Sequence, residues 1–287
     1  MKRNAIVRII IFSFIILILV SILLVGLGAG MYTYRVDYQS EAYALGSGEI
    51  PANEVKDIEI EWAAGSITIE TADTDKISFH ESGGKDSDPM VYQQRGDKLI
   101  IEFQTGKVVF GFTSAHSKDL VVTVPNDWTC SELSVDAASA DLTVNGLKAS
   151  DVELNMASGD SQFTRCNIYE LSMDCASGEV IYDGTLYVLD CDAASGKVSA
   201  VFDNIPKSIS FDGASADLEL TLPANAGFTV EMEGLSSDFS SEFETVRTNG
   251  RYICGDGKCS IEVDGLSGDL TIRKGEATVP NPTIPVP

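Results

Sequence analysis

The chain has 287 residues, of which 43 are Asp or Glu and 20 are Lys or Arg, giving a formal net charge of −23. At 44% apolar and 22% charged it has material for a core and is not a disordered polyelectrolyte. The acidity excludes nucleic acid as a partner, since no basic stripe is present to neutralise phosphates, and it excludes docking on anionic lipid through Lys/Arg clusters.

The charge is unevenly distributed. Residues 1–30 contain no acid and three bases, Lys2, Arg3 and Arg8, which leaves residues 31–287 with a net charge of −26. From Ile9 to Gly30 run 22 residues without a charge. As a helix this run is about 33 Å long at about 1.5 Å per residue, enough to span a hydrocarbon core of about 30 Å. With the bases at its start, the positive-inside rule predicts a cytoplasmic segment 1–8, a transmembrane helix 9–30, and the acidic remainder outside the cell membrane. A cleaved signal peptide fits less well. Its apolar region is shorter, about 7–15 residues, and Gly28-Ala29-Gly30-Met31 is a poor cleavage site.

Residues 31–55 lack periodicity and read as a juxtamembrane linker, loosest at Gly46-Ser47-Gly48. Residues 275–287 carry four of the nine prolines and read as an extended tail. Between them, over 56–274, lies an internal repeat. Its copies centre on Ala64, Ser139, Ser158, Ser177, Ser195, Ser215, Ser236 and Ser267, and from Ser139 to Ser236 the spacings are 19, 19, 18, 20 and 21. Apolar pairs of period two precede each centre by six and four residues, as in Ile58/Ile60, Leu171/Met173 and Ile209/Phe211. Similar pairs follow by three and five, as in Ile67/Ile69 and Leu218/Leu220; Ser161, Ala200 and Ser241 are the weak members.

The unit is therefore strand, D-x-A-S-G-D turn, strand, return. A near-constant period predicts an all-β parallel β-solenoid with coils of about 19 residues, each apolar position stacking on its equivalent. The alternative is a β-sandwich with similar turns. The interval 64–139 breaks the period, and its segment 76–127 is the expected place for a specific surface. Between Ser236 and Ser267, RYIC-GDGK-CSIEV reads as a β-hairpin.

Two acidic columns flank the turn. One holds Glu61, Asp136, Asn155, Asp174, Asp192, Asp212, Glu233 and Asp264; the other holds Asp141, Asp160, Glu179, Lys197, Asp217, Asp238 and Asp269. One reading is weak Ca²⁺ binding among Asp136, Asp141, Asp160, Asp174, Asp192, Asp212 and Asp217, since Ca²⁺ takes several oxygen ligands at about 2.3–2.6 Å. The other is structural: each carboxylate accepts a backbone N–H within its own turn. Stacked carboxylates repel, and Lys197 and Asn155 are the expected local relief. The turn position held by Gly159, Gly178, Gly196, Ala140 and Ala216 need not have positive φ, because Ala is tolerated there.

Cys254 and Cys259 could face each other across the expected hairpin, either as a disulfide or as free thiols; Cys191 falls in a core column. No C-x-x-C pair, phosphate loop or dinucleotide fingerprint occurs, and His80 and His116 stand in no catalytic or metal spacing. The expectation is therefore no catalytic residues and no cofactor. A polysaccharide-active β-helix enzyme is the remote alternative.

The segments VELNMASGDSQF, LSMDCASGEVIY, ISFDGASADLEL and GKCSIEVDGLSGDLTIRK, following one apolar N-terminal run, resemble the bacterial "putative adhesin" β-strand-repeat domain of unknown function, over about 55–274. The resemblance implies a surface-exposed, non-catalytic β protein of a Gram-positive-type envelope. The expected role is an adhesin-like binding or scaffold module with a protein or glycan ligand. An envelope-stress sensor working through a membrane partner is the alternative.

Overall fold

The computed structural model describes residues 43–84, 89–104, 117–236 and 238–276. The expected transmembrane helix 9–30, residues 31–42 of the expected linker, and the tail from 277 onward lie outside the described residues. Among those described, no helix is long and apolar enough to cross a membrane.

The described residues are all-β apart from one 3₁₀ turn at Ala52–Glu54. Its first strands are β1 (Ala44–Leu45), β2 (Gly48–Pro51), β3 (Asp57–Ala72), β4 (Lys76–Gly83), β5 (Val91–Arg95), β6 (Lys98–Glu102) and β7 (Lys118–Pro125). The repeat region follows as β8 (Cys130–Asn145), β9 (Lys148–Ser158), β10 (Ser161–Cys175), β11 (Glu179–Phe202) and β12 (Ser208–Leu222). The last six are β13 (Phe228–Ser236), β14 (Phe239–Ser241), β15 (Val246–Thr248), β16 (Arg251–Cys254), β17 (Cys259–Ser267) and β18 (Leu270–Lys274). All belong to one mixed sheet.

The repeat becomes a solenoid-like stack. Each unit is an extended arm, a corner at the A-S-G motif, and a second arm, and equivalent residues pair in parallel: Asp136 with Asn155, Met173 with Cys191, Ser195 with Ser215. The period-two pattern turns one side of each arm inward. Ile58, Ile60, Leu133, Val135, Leu171, Ile209 and Phe211 are all buried from the first arms, and Ile67, Ile69, Leu142, Val144, Leu218 and Leu220 from the second. At about 1.5–3 kcal/mol for each buried aliphatic or aromatic side chain, this continuous column is the main stabilising term. Two of the weak members also point inward. Ala200 is buried, and buried Ser161 donates its hydroxyl to the Met156 sulfur at 2.9 Å, so it is not left unpaired.

The corners fall into two kinds. Gly65, Gly159, Gly178, Gly196 and Gly268 have φ between +116° and +145°, whereas Ala140 and Ala216 do not have positive φ. The tolerance of Ala therefore does not extend across the column. A Cβ on Gly178 would sit 2.0 Å from the Gly159 carbonyl oxygen of the next coil, so these glycines serve close backbone approach as well as φ. The repeated serines bind coil to coil: Ser158 and Ser195 donate to the Ala138 and Ala176 carbonyls, each at 3.3 Å.

Chain order and stacking order part company at both ends. β3 lies between β8 and the pair β6/β7, so the 75-residue gap between Ala64 and Ser139 returns the chain to the same stack. At the other end, β17 lies between β12 and β13, and β18 between β12 and β14. The expected hairpin RYIC-GDGK-CSIEV is therefore absent: β13 separates β16 from β17. The hairpin is β15–β16, closed by Asn249-Gly250 with φ of 51° and 85°.

The ends carry antiparallel strands that cover the outermost parallel ones. β4 pairs with β7 and β2, and β5 pairs with β6 and β1. Residues 44–45 and 48–51 of the expected linker thus belong to the sheet. In the first cap Lys118, buried, pairs with Glu81 at 2.6 Å and lies 4.6 Å from the Phe103 ring centre, while the Lys118 carbonyl accepts from Trp62 Nε1 at 3.1 Å.

Candidate functional site

The two arms present different outer faces. On the first-arm face, successive coils in stacking order show Asp57/Glu59/Glu61, Glu132/Ser134/Asp136, Asp151/Glu153/Asn155, Glu170/Ser172/Asp174 and Val188/Asp190/Asp192. Ser208/Ser210/Asp212, Ser260/Glu262/Asp264 and Thr229/Glu231/Glu233 follow. None of these positions holds a base. Cations reach the face from its ends: Lys98 pairs with Glu59 at 3.0 Å, and Arg251 with Glu231 at 2.7 Å. The second-arm face is mixed, rich in Thr and Ser, and carries Lys197 and Arg273 paired with Glu219 at 2.8 Å each.

Repulsion on the acidic face is managed column by column. In the central column Glu59, Ser134, Glu153, Ser172, Asp190, Ser210 and Glu262 alternate acid with serine, which keeps carboxylates about 9.6 Å apart at about 4.8 Å per strand. Ser172 floors a notch, a depression of about 160 Å³ lined by Glu153, Asn155, Met173, Asp174, Asp190 and Asp192.

The column that runs through Asp136, Asp174, Asp192 and Asp212 has no such alternation. Asn155 relieves one end by donating to Asp136 at 2.9 Å. Further along, burial, followed by the nearby charges of Asp212, Asp174 and Asp190, pushes the Asp192 carboxyl up to about 6. Asp174 and Asp212 are also raised, again chiefly by burial, and each is partly lowered by a hydrogen bond with Asp192. While it holds a proton, Asp192 can donate to these neighbours. Glu61 is raised by burial and then by Glu102 and Asp136.

The second acidic column does something else. Asp141 accepts the Asp160 backbone N–H at 3.0 Å, and Asp160 accepts that of Glu179 at 2.8 Å. Asp217 accepts from Asp269, and Asp269 from Asp238, at 3.0 and 3.2 Å. These carboxylates do accept backbone N–H groups, but from the neighbouring coil and not from their own turn. Asp141, Asp160 and Asp217 therefore join coils, while Asp136, Asp174, Asp192 and Asp212 share the outer face. Among the described residues no three His, Cys, Asp or Glu side chains are grouped to hold a metal ion. Lys197 relieves its column less than expected, because its ammonium is drawn to Glu219.

Cys254 and Cys259 do not face each other. Both align with Phe228, one across each edge of β13, so their Cα atoms are about 9.6 Å apart at about 4.8 Å per strand, beyond disulfide reach. Both are buried free thiols, and burial pushes Cys259 up to about 12. His80 Nδ1 lies 2.9 Å from Ser47 Oγ; His116 lies outside the described residues, as do 85–88 and the rest of 105–116 in the segment expected to form a specific surface. Asn204, which the sequence did not single out, sits buried in a return loop. It accepts from Leu186 N and donates to Leu186 O, both at 3.0 Å, replacing a missing backbone ladder rung.

No curated protein matches the chain. Among solved structures it is similar to a "putative cell adhesion protein" from Clostridium sporogenes (14% identity, covering 81% of this chain and 100% of that one, TM-score 0.36). It is also similar to a "putative adhesin" from Bacteroides fragilis (13%, 81% and 98%, TM-score 0.42). A third is a "putative lipid binding protein" from Parabacteroides distasonis (14%, 84% and 98%, TM-score 0.34). The family model carries the assignment: it matches over residues 55–187 and 129–273, and the chain belongs to the Toastrack DUF4097 family.

Proposed function

We propose that this protein is a non-catalytic, adhesin-like binding module of the cell envelope, held by residues 9–30, whose first-arm face binds a cationic partner. The observation that carries the reading is the one-sided charge: the outer positions of that face hold acids in every coil and no base, while the second-arm face is mixed. A face of one sign steers and orients a partner of the opposite sign. Carboxylates spaced about 9.6 Å apart along the central column, with a notch at Ser172, give spaced sites for amines along an extended basic peptide or an amine-bearing envelope polymer. The 22-residue apolar run supports anchoring, and the net charge of −26 beyond it supports an extracellular position.

The test is binding of the purified full chain in detergent to an immobilised Lys-rich peptide across a salt series, with a Glu-rich peptide as control. Binding to the Lys-rich peptide should fall steeply as salt rises. The triple variant Glu153→Gln, Asp174→Asn, Asp190→Asn should weaken it at least about tenfold, the effect of about 1.4 kcal/mol. Equal binding by the variant, or by the acidic peptide, would sink the reading.

A further inference from the structure

We propose that the coil 259–274 is an exchangeable element: its slot between β12 and β13–β14 accepts the same segment of a second copy of this chain. The slot exists because stacking order departs from chain order there. Residues 260–265 and 270–272 pair on both sides in one register. Ile261 stands between Ile209 and Val230, Val263 between Phe211 and Met232, Leu270 between Leu218 and Phe239, and Ile272 between Leu220 and Ser241. The inserted segment leads in through Gly255-Asp256-Gly257-Lys258, whose two glycines have φ of 55° and 65°, and this stretch can act as the hinge.

The choice of occupant follows from what the slot demands. Cys259, Ile261, Val263, Leu270 and Ile272 are buried, so a coil that leaves its own slot exposes all five. Direct docking of β13 on β12 would leave them in water, whereas an equivalent slot restores every contact, the condition that favours domain exchange. The slot is also selective. A Cβ on Gly268 would lie 2.1 Å from the Ala216 carbonyl oxygen, so the entering strand must carry glycine there. One position further, the entering residue must donate a backbone N–H to Asp217 and accept one from Asp238 through its carboxylate, as Asp269 does at 3.0 and 3.2 Å. The segment 259–274 itself meets all three requirements.

Interchain trapping tests the exchange. Ser210 and Glu262 pair across β12 and β17 on the outer face, within the Cα separation a disulfide needs. Full-length S210C and E262C proteins, mixed in detergent and taken through a cycle of partial unfolding and refolding, should form a covalent heterodimer. Peptide mapping should place its link at 210–262 and separate it from the buried native thiols. Its yield should exceed at least tenfold that of S210C mixed with E231C, whose positions in an exchanged pair fall in different slots. Oxidised without the unfolding cycle, the double variant S210C/E262C should close an intrachain link. A 210–262 interchain yield no higher than the control overturns the exchange, and failure of the intrachain link overturns the register on which it rests.

Discussion

Asn155 donates a 2.9 Å hydrogen bond to Asp136 in the neighbouring coil, at a position where the coils on either side carry acids. The amide does permanently what Asp192, two coils further along, does only while it holds a proton.

Asp192→Asn should therefore stabilise the protein at neutral pH. The carboxyl of Asp192 is pushed up to about 6 in the folded state, against about 3.9 in an unfolded chain. Between those values the folded state binds more protons, so its contribution is present at low pH and is lost as pH rises toward and through about 6. The variant carries a fixed donor and should melt about 2–4 °C higher at pH 7.5, corresponding to about 1 kcal/mol. The gap should shrink at pH 4.5. Thermal melts of both proteins between these pH values check it. An unchanged gap would show that Asp192 does not titrate between its neighbours.

Gly178→Ala should be costly although Ala occupies the equivalent corner at Ala140 and Ala216. At φ +138° the new Cβ would meet the Gly159 carbonyl oxygen at 2.0 Å. The expected loss is about 2–4 kcal/mol, from strain and the forced separation of coils. Ala140→Gly, where φ is not positive, should cost about 1 kcal/mol or less. Urea denaturation of the two variants gives the comparison.

Asn204→Ala should remove about 2–4 kcal/mol, because it strips the Leu186 N–H and C=O of their partners in a buried setting. Asn204→Asp should be no better, since it keeps the acceptor but replaces the donor with a buried charge. Hydrogen exchange at Leu186 should accelerate in both variants.

Cys254 and Cys259 should remain unlinked under mild oxidant. No 254–259 peptide should appear in a non-reducing digest, and the melting temperature should not depend on reductant. Both thiols should react slowly with a thiol reagent in the folded protein, since burial raises both and disfavours the thiolate.

The regular part of the fold was legible because it is local. Period-two apolar pairs such as Leu171/Met173 and a spacing near 19 specify an arm, a corner and a return, and parallel stacking of equivalents follows from the near-constant period. The acidic columns were visible for the same reason. Their division of labour was not: Asp160 and Asp174 look alike in sequence, yet Asp160 accepts a backbone N–H from the next coil while Asp174 lies on the outer face beside Asp192. The Asn249-Gly250 turn was a readable signal for β15–β16, obscured by the more symmetric run between Cys254 and Cys259.

By itself the sequence determined the arms, the positions of the corners, the acidic columns and the membership of successive units in one repeat, because each rests on residues a few positions apart. Only the tertiary structure decided the order in which the units stack. A repeat whose coils present the same columns is nearly indifferent to which neighbour it meets, so the insertion of 259–274 beside β12 leaves no periodic mark. It is settled by contacts between residues far apart in the chain, such as Ser215 with Ser267 and Asp217 with Asp269.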